Sequence, residues 1–272
     1  MERMKKIKCL ILLMSCNHSF FKKEEDMVKQ TWLKPIVDNK YDEFDYMFYT
    51  SGPTDFIDYT RHIIYVNSPD DWESTFIKTK QALNIINKEF DYDYIVRTNL
   101  STYINIPLLQ IIINSGALDA YKNNTLFGGQ LIKNNDIFYP CGNFLLFSKH
   151  LAEEIIKSDI NEIKADDYII GKILTNYRKH IFKVVNINYG TMHQLYSDIN
   201  DDLYNKIAIS YRVYNFDSYE TYYKLREIHE FHMLNKLHNH MLNIKIDVNN
   251  VMECLNYQNN VYFEHNVGFK QF

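Results

Sequence analysis

The chain is poor in the residues that mark non-globular classes. Its 272 residues include only 8 glycines and 5 prolines, too few for a collagen-like repeat or a disordered Pro/Gly linker. The four cysteines, Cys9, Cys16, Cys141 and Cys254, contain no C-x-x-C pair. A small disulfide scaffold is therefore excluded, and reduced thiols in a cytosolic protein are the simplest expectation. No apolar run approaches the roughly 20 residues of a membrane-spanning helix. The N-terminal MERMKKIKCLILLMSCN mimics a signal peptide, but its apolar run is short and no small-residue cleavage site follows it. It reads instead as a buried first strand. A net charge of -4 gives no general reason to expect nucleic acid as a partner.

What is present is an ordinary globular composition, 46% hydrophobic and 24% charged, rich in Tyr and Phe. Its first hundred residues alternate strand and helix patterns. Strands are expected at Lys6–Ser15, Phe44–Tyr49, Ile63–Val66 and Tyr94–Arg97, with helices at about Phe20–Trp32 and Trp72–Asn87. Thr50-Ser-Gly-Pro53 is a turn signal. This alternation implies a mostly parallel sheet with right-handed crossovers, whose ligand loops lie at the carboxyl ends of the strands. Those loops are Cys16–Ser19, Thr50–Thr54, Asn67–Asp71 and Thr98–Ser101.

The second half changes style. A helix at Ile106–Ser115 should stop at Gly116. Leu126–Gln130 and Asn143–Phe147 read as strands joined by a polar loop. Ser148 caps a helix at Lys149–Lys157, and a further helix spans Asp166–Tyr177. Phe182–Ile187 reads as another strand, and a long charged helix is expected from Ser218 to about Asn243. The fold class is α/β, with residues 1–215 as one domain and 216–272 as a helical C-terminal extension.

Phe90–Asn105, FDYDYIVRTNLSTYIN, is the stretch around which the rest is organised. A short buried strand is followed at once by polar Thr98-Asn-Leu-Ser-Thr102. Other segments fall in order around it: Gln30-Thr31-Trp32, Asp70-Asp-Trp-Glu-Ser-Thr-Phe-Ile-Lys-Thr79, Tyr139-Pro-Cys-Gly142 with Ser148, and Asp166-Asp167-Tyr-Ile-Ile-Gly171. Their order and spacing resemble the fringe and beta-1,3-galactosyltransferase group of glycosyltransferases. Arg97, Thr102, Tyr103 and Ile104 fit the frame of that group's DxD segment, but its acidic triplet is replaced by Asn99-Leu100-Ser101.

The resemblance implies a GT-A fold: a mixed, mostly parallel sheet flanked by helices. Residues 1–105 would be the nucleotide-binding half and 106–215 the acceptor half. It implies a nucleotide-sugar donor, of the UDP class in that group, a glycan acceptor and an inverting reaction. Asp167 takes the place of the group's catalytic base, with Asp166 orienting it. On the residues alone, both acids also suit capping of an apolar helix at its positive end. The donor-binding residues are expected among Ser15, Asn17, Asp70, Lys78, Arg97, Thr98, Asn99, Ser101, Gly142 and Asn143. Arg97 and Arg212 are the basic candidates for the diphosphate.

The resemblance also places metal ligation near Asn99, Ser101 and His193. Mn²⁺ and Mg²⁺ favour oxygen donors, and without carboxylates these positions offer only neutral ones. Metal dependence is accordingly expected to be weak or absent. His229, His232, His238 and His240 share one helical stretch and read as a solvated helix. The alternative to an enzyme is an inactive glycan- or nucleotide-binding module on the same fold. A nucleotidyltransferase would need a Gly-rich phosphate loop, which Cys16-Asn-His-Ser19 does not supply. The expected location is the cytoplasm of a bacterium or of a virus-infected host.

Overall fold

The computed structural model describes residues 6–116, 118–119, 123, 126–129, 131–134, 137–140, 142–160, 162, 164–176, 182–185, 190–191, 210–212, 234–235, 237–239, 241–243 and 261–263. The chain opens with β1 (Lys6–Met14), α1 (Ser19–Gln30), α2 (Lys34–Val37), β2 (Phe44–Ser51), β3 (Phe56–Asp58), β4 (Ile63–Val66), α3 (Thr75–Glu89) and β5 (Asp91–Asn99). It continues with β6 (Thr102–Ile104), α4 (Ile106–Asn114), β7 (Leu126–Gly128), β8 (Leu131–Asn134), β9 (Ile137–Pro140), β10 (Phe144–Ser148), α5 (Lys149–Lys157) and α6 (Asp166–Asn176). The last strands are β11 (Phe182–Val185), β12 (Gly190–Thr191), β13 (Ser210–Arg212) and β14 (Val261–Phe263).

Nine strands form one mixed sheet in the order β14-β11-β7-β10-β5-β1-β2-β4-β3. β4, β2, β1, β5, β7 and β11 run one way, while β10 and the two edge strands run against them. The expected α/β fold, with a mostly parallel sheet flanked by helices, is present. β1 is its centre because KIKCLILLM is apolar on both faces, as a strand covered on both sides must be. Cys9, Ile11 and Leu13 join Val96 and the α4 residues Leu109 and Ile112 on one side. Leu10 and Leu12 join Ile95, Phe76, Leu83, Ile155 and Ile170 on the other.

Three segments depart from the sequence expectation. β5 spans nine residues rather than four, because β1 pairs with it from Asp91 to Asn99 and β10 holds its other edge. Tertiary pairing overrides the poor strand propensity of Asp91 and Asp93. β3 lies between the Thr50–Pro53 turn signal and the Ile63–Val66 strand, where no element was expected, and pairs with β4 as the sheet's short edge. The expected polar loop after β7 contains the hairpin β8–β9, registered from Leu131↔Pro140 to Asn134↔Ile137. β9 runs beside α6 and so walls one side of that helix.

Leaving β5, the chain bends at Leu100-Ser101 into β6, which pairs with β13 and, through it, with β12. α4 ends as expected before Gly116, at φ 75°. Of the expected helix from Ser218, the described residues 234–235, 237–239 and 241 are helical. There Leu234 and Leu237 are buried in the α4-side core. β14 returns to pair with β11 at the edge of the main sheet. Among the described residues no helix is long and apolar enough to cross a membrane. Cys9 is a buried free thiol; Cys141 and Cys254 lie outside the described residues.

Candidate active site

β1, β2 and β5 end at one rim of the sheet, and β10, running against them, begins there. Phe144, the first residue of β10, lies opposite Thr98 near the end of β5. Gly142 and Asn143 are therefore brought to the same rim. The N-terminal half of α3 and the first turn of α6 close over it from the α3 side.

Arg97 is the hub. Its side chain is 1% exposed and pairs with Asp166, Nη2 to Oδ2, at 2.7 Å. Nε donates to the Tyr49 hydroxyl at 3.2 Å, and Nη1 donates to the Gly142 carbonyl at 2.5 Å. Burial opposes the guanidinium charge, but Asp166, Tyr49 and Asp167 reverse that, and Arg97 is held protonated. Asp166 is also buried: Thr79 Oγ1 donates to Oδ2 at 2.9 Å, and the Asp166 N–H donates to Thr75 Oγ1 at 3.1 Å. Thr79 in turn shares a hydrogen bond of 2.8 Å with Tyr49. Thr75 and Thr79 are one helical turn apart on α3, so both reach Asp166, Thr79 at its carboxylate and Thr75 at its N–H.

Asp167, next on α6, is only half-buried. Its Oδ1 accepts the Tyr168 N–H at 2.7 Å, the usual use of an acid in a first helical turn. Burial and the adjacent Asp166 push its pKa up to about 6, against the pull of Arg97 and of N–H groups of Tyr168 and Gly142. Gly142 lies so close that a Cβ there would stand 3.1 Å from Asp167 Oδ2 and 3.3 Å from Arg97 Nη1. The two acids of one motif thus have separate environments: Asp166 is locked to Arg97, while Asp167 faces the rim.

A second cluster holds the loop after β1. Lys78, 1% exposed, ion-pairs with Asp70 at 2.7 Å and donates to the Ser15 carbonyl at 3.2 Å. Asp70 also accepts from the Asn17 N–H and, at 3.1 Å, from the Ser51 hydroxyl. Burial would raise the Asp70 pKa, but the Asn17 N–H and Lys78 hold it below the ordinary carboxylate value. Ser15 donates to Glu25 on α1. Ser15, Asn17, Asp70 and Lys78 are therefore brought together, with Lys78 as an internal clamp.

Thr98 donates to the Asn143 carbonyl at 2.6 Å, tying the end of β5 to the start of β10. Asn99 follows; its Oδ1 is buried, and no hydrogen bond reaches it among the described residues. Such an oxygen costs about 1–3 kcal/mol unless something satisfies it. Ser101 is buried in the bend. Asn99 and Ser101 offer only neutral oxygens, which suit a divalent ion less well than carboxylates, and no group of three His, Cys, Asp or Glu is found among the described residues. Arg212 pairs with Thr102, bringing β13 beside the bend. Thr191 pairs with Arg212, while His193 lies outside the described residues, as do His229, His232 and His240. His238 approaches the Tyr103 hydroxyl at 3.4 Å, within the packed helix rather than at the rim.

Sequence reasoning passed over Tyr49, Ser51, Thr75 and Thr79. Tyr49 and Ser51 end β2, and the two threonines share an i, i+4 spacing; those positions were the signals available.

No protein-family model and no curated protein matches the chain. Solved structures similar to it include a glycosyltransferase involved in the glycosylation of the major capsid of PBCV-1, with a TM-score of 0.46 and 9% identity over 82% of this chain and 98% of that one. Another is the galactosyltransferase LgtC in complex with donor and acceptor sugar analogs, with a TM-score of 0.45 and 10% identity over 87% and 97% of the two chains. An active-site mutant of LgtC follows, with a TM-score of 0.41 and 9% identity over 89% and 99%. Likeness at this level concerns the general course of the chain and carries nothing about the reaction.

Proposed function

We propose that the chain is an inverting GT-A-type glycosyltransferase that moves a sugar from a nucleotide-diphosphate sugar, of the UDP class, to a hydroxyl of a glycan. One observation carries this: Asp167 holds a half-buried carboxyl with a pKa near 6 at the rim, over Gly142, where the strand ends converge. A base that titrates just below neutral pH is charged at work yet basic enough to take a hydroxyl proton. Asp166, neutralised by Arg97, orients the turn that presents Asp167.

In the reaction, Asp167 accepts the proton of the acceptor hydroxyl as that oxygen bonds to the anomeric carbon. The bond to the diphosphate oxygen breaks on the opposite face, and the diphosphate departs with the electron pair. Opposite faces mean inversion. The loop fixed by Asp70 and Lys78 supports the nucleotide, and Asn99 Oδ1 offers an acceptor to the donor. The neutral oxygens of Asn99 and Ser101 support a reaction needing little or no Mn²⁺ or Mg²⁺. The buried thiol of Cys9 supports a reducing, cytoplasmic location.

The test is nucleotide release from a panel of nucleotide sugars, with and without Mn²⁺, by the wild type and by Asp167→Asn. Release by the wild type alone is expected. Donor binding with no turnover by either protein would point instead to an inactive binding module, and equal release by both would remove Asp167 from the role.

A further inference from the structure

Tyr49, Thr79, Arg97 and Asp166 close a ring of hydrogen bonds inside the protein, and all four side chains are buried. They come from four elements, β2, α3, β5 and α6. Tyr49 and Arg97 lie two strands apart, with β1 between them, a span of about 9–10 Å. A short hydroxyl side chain in place of Tyr49 would not cross it.

The ring admits one arrangement of protons. Arg97 can only donate, and Asp166, ion-paired with it at 2.7 Å, can only accept. Thr79 has one proton and gives it to Asp166 Oδ2 at 2.9 Å. In the 2.8 Å contact between Tyr49 and Thr79 the proton must therefore come from Tyr49. Burial raises the Tyr49 pKa above its ordinary value, so that proton is retained. The Tyr49 oxygen then accepts from Arg97 Nε at 3.2 Å. Two paths thus lead from Arg97 to Asp166, one direct and one through Tyr49 and Thr79.

The ring ends at the turn that carries Asp167. Asp166 Oδ1 accepts the Asp167 N–H at 3.0 Å, while its own N–H is held by Thr75. Arg97 also holds the carbonyl of Gly142, the residue that stands against Asp167. Among the described residues, the charges acting on the Asp167 carboxyl are Asp166 on its own helix, which raises its pKa, and Arg97 on β5, which lowers it. From α3 the groups at this turn are the neutral hydroxyls of Thr75 and Thr79.

We propose that Tyr49 is a positioning residue for Asp167: its hydroxyl holds Arg97 Nε and, through Thr79, the Asp166 carboxylate, and so keeps the turn that presents Asp167 in one arrangement. This rests on the reading of Asp167 as the base of a transferase, and adds a residue on another strand that acts through two others. Without the hydroxyl, Nε loses its acceptor and the guanidinium can turn. Its pull on Asp167 then weakens while Asp166 still repels, so Asp167 takes its proton at higher pH.

The readout is the side-chain carboxyl carbon of Asp167, followed by carbon-13 NMR through a pH titration and identified by its loss in Asp167→Asn. Tyr49→Phe and Thr79→Val, each checked for folding by thermal melting, should move the midpoint up by about 0.5–1 pH unit. The acid limb of kcat/KM should move with it. Thr79→Ser keeps the hydroxyl and should titrate as the wild type does. Joining Tyr49→Phe to Thr79→Val should add little, because both cut the same path. An unmoved midpoint in both folded single variants overturns the proposal. So does an additive shift in the double variant, or a Thr79→Ser midpoint displaced as far as that of Thr79→Val. The transferase reading fails separately: a wild type that turns over no nucleotide sugar ends it, whereas the carbon titration needs no turnover and still decides the part played by Tyr49.

Discussion

Arg97 and Asp166 form a buried ion pair, 2.7 Å apart, with side chains 1% and 5% exposed. Removing one member of such a pair leaves the other charged and unpaired in the interior, at a cost of about 3–5 kcal/mol. Arg97→Met should therefore fall in that range by urea denaturation. Arg97→Met with Asp166→Leu should recover much of the loss, because no lone charge remains, but should not recover activity. A double variant no more stable than Arg97→Met would mean that the pair is not what Arg97 supports.

Asp167 should set the acid limb of the pH profile. Its pKa is pushed up to about 6 by burial and by Asp166. The base is charged above that value, so kcat/KM should rise with pH through about 6 and then level off. Asp167→Asn should lower kcat by ~10²–10⁴-fold with little change in donor affinity. The linkage runs the opposite way for stability. A carboxyl whose folded pKa lies above its unfolded value binds its proton more tightly in the folded state. Asp167 therefore lowers stability as pH rises from about 4 to about 6, and Asp167→Asn should melt at a higher temperature than the wild type at pH 7. An activity limb unmoved by Asp167→Glu would assign the titration to another group.

Gly142→Ala tests the close approach between the turn that leads into β10 and the start of α6. The new methyl would press on Asp167 Oδ2 and Arg97 Nη1, at 3.1 Å and 3.3 Å. Asp167 is the softer neighbour, being only half-buried, whereas Arg97 is fixed by several acceptors. The carboxylate should shift by a few tenths of an ångström. Activity should drop by about 10²-fold, the scale on which small misplacements matter, while the melting temperature changes little. A large loss of stability with normal specific activity would contradict this.

The parallel half of the fold was legible because its signal is local. β1 is a continuous apolar run, and α1 and α3 carry their own periodicity. The bend after Arg97 was legible for the same reason, as polar residues following a short apolar strand. What was not legible depends on partners distant in sequence. Asp91 and Asp93 become strand only because β1 lies alongside. Arg97 reads as a ligand for diphosphate, yet its donors are occupied by Asp166, Tyr49 and Gly142, and only folding brings those together. Lys78 is likewise turned inward onto Asp70. The pairing of Asp166 and Asp167 was visible, but their division of labour was not, because it arises from Thr75, Thr79 and Arg97 on other elements. β3 and the β8–β9 hairpin are too short to show a period of two.

Metal dependence follows from the bend at the end of β5. Asn99 contributes a buried neutral oxygen without a partner among the described residues, and Ser101 a hydroxyl. Divalent cations of the Mg²⁺ and Mn²⁺ type need carboxylate charge to compensate for lost hydration. Wild-type turnover should therefore survive EDTA with at most a few-fold loss. Asn99→Asp with Ser101→Asp places two carboxylates at that bend. Two carboxylates two residues apart repel each other, which should lower stability in the absence of metal. Mn²⁺ should then raise the melting temperature of this double variant but not of the wild type, through binding to the folded state alone. Equal responses of the two proteins to Mn²⁺ would show that the ion binds elsewhere, and an EDTA-silenced wild type would show that neutral oxygens suffice to hold it.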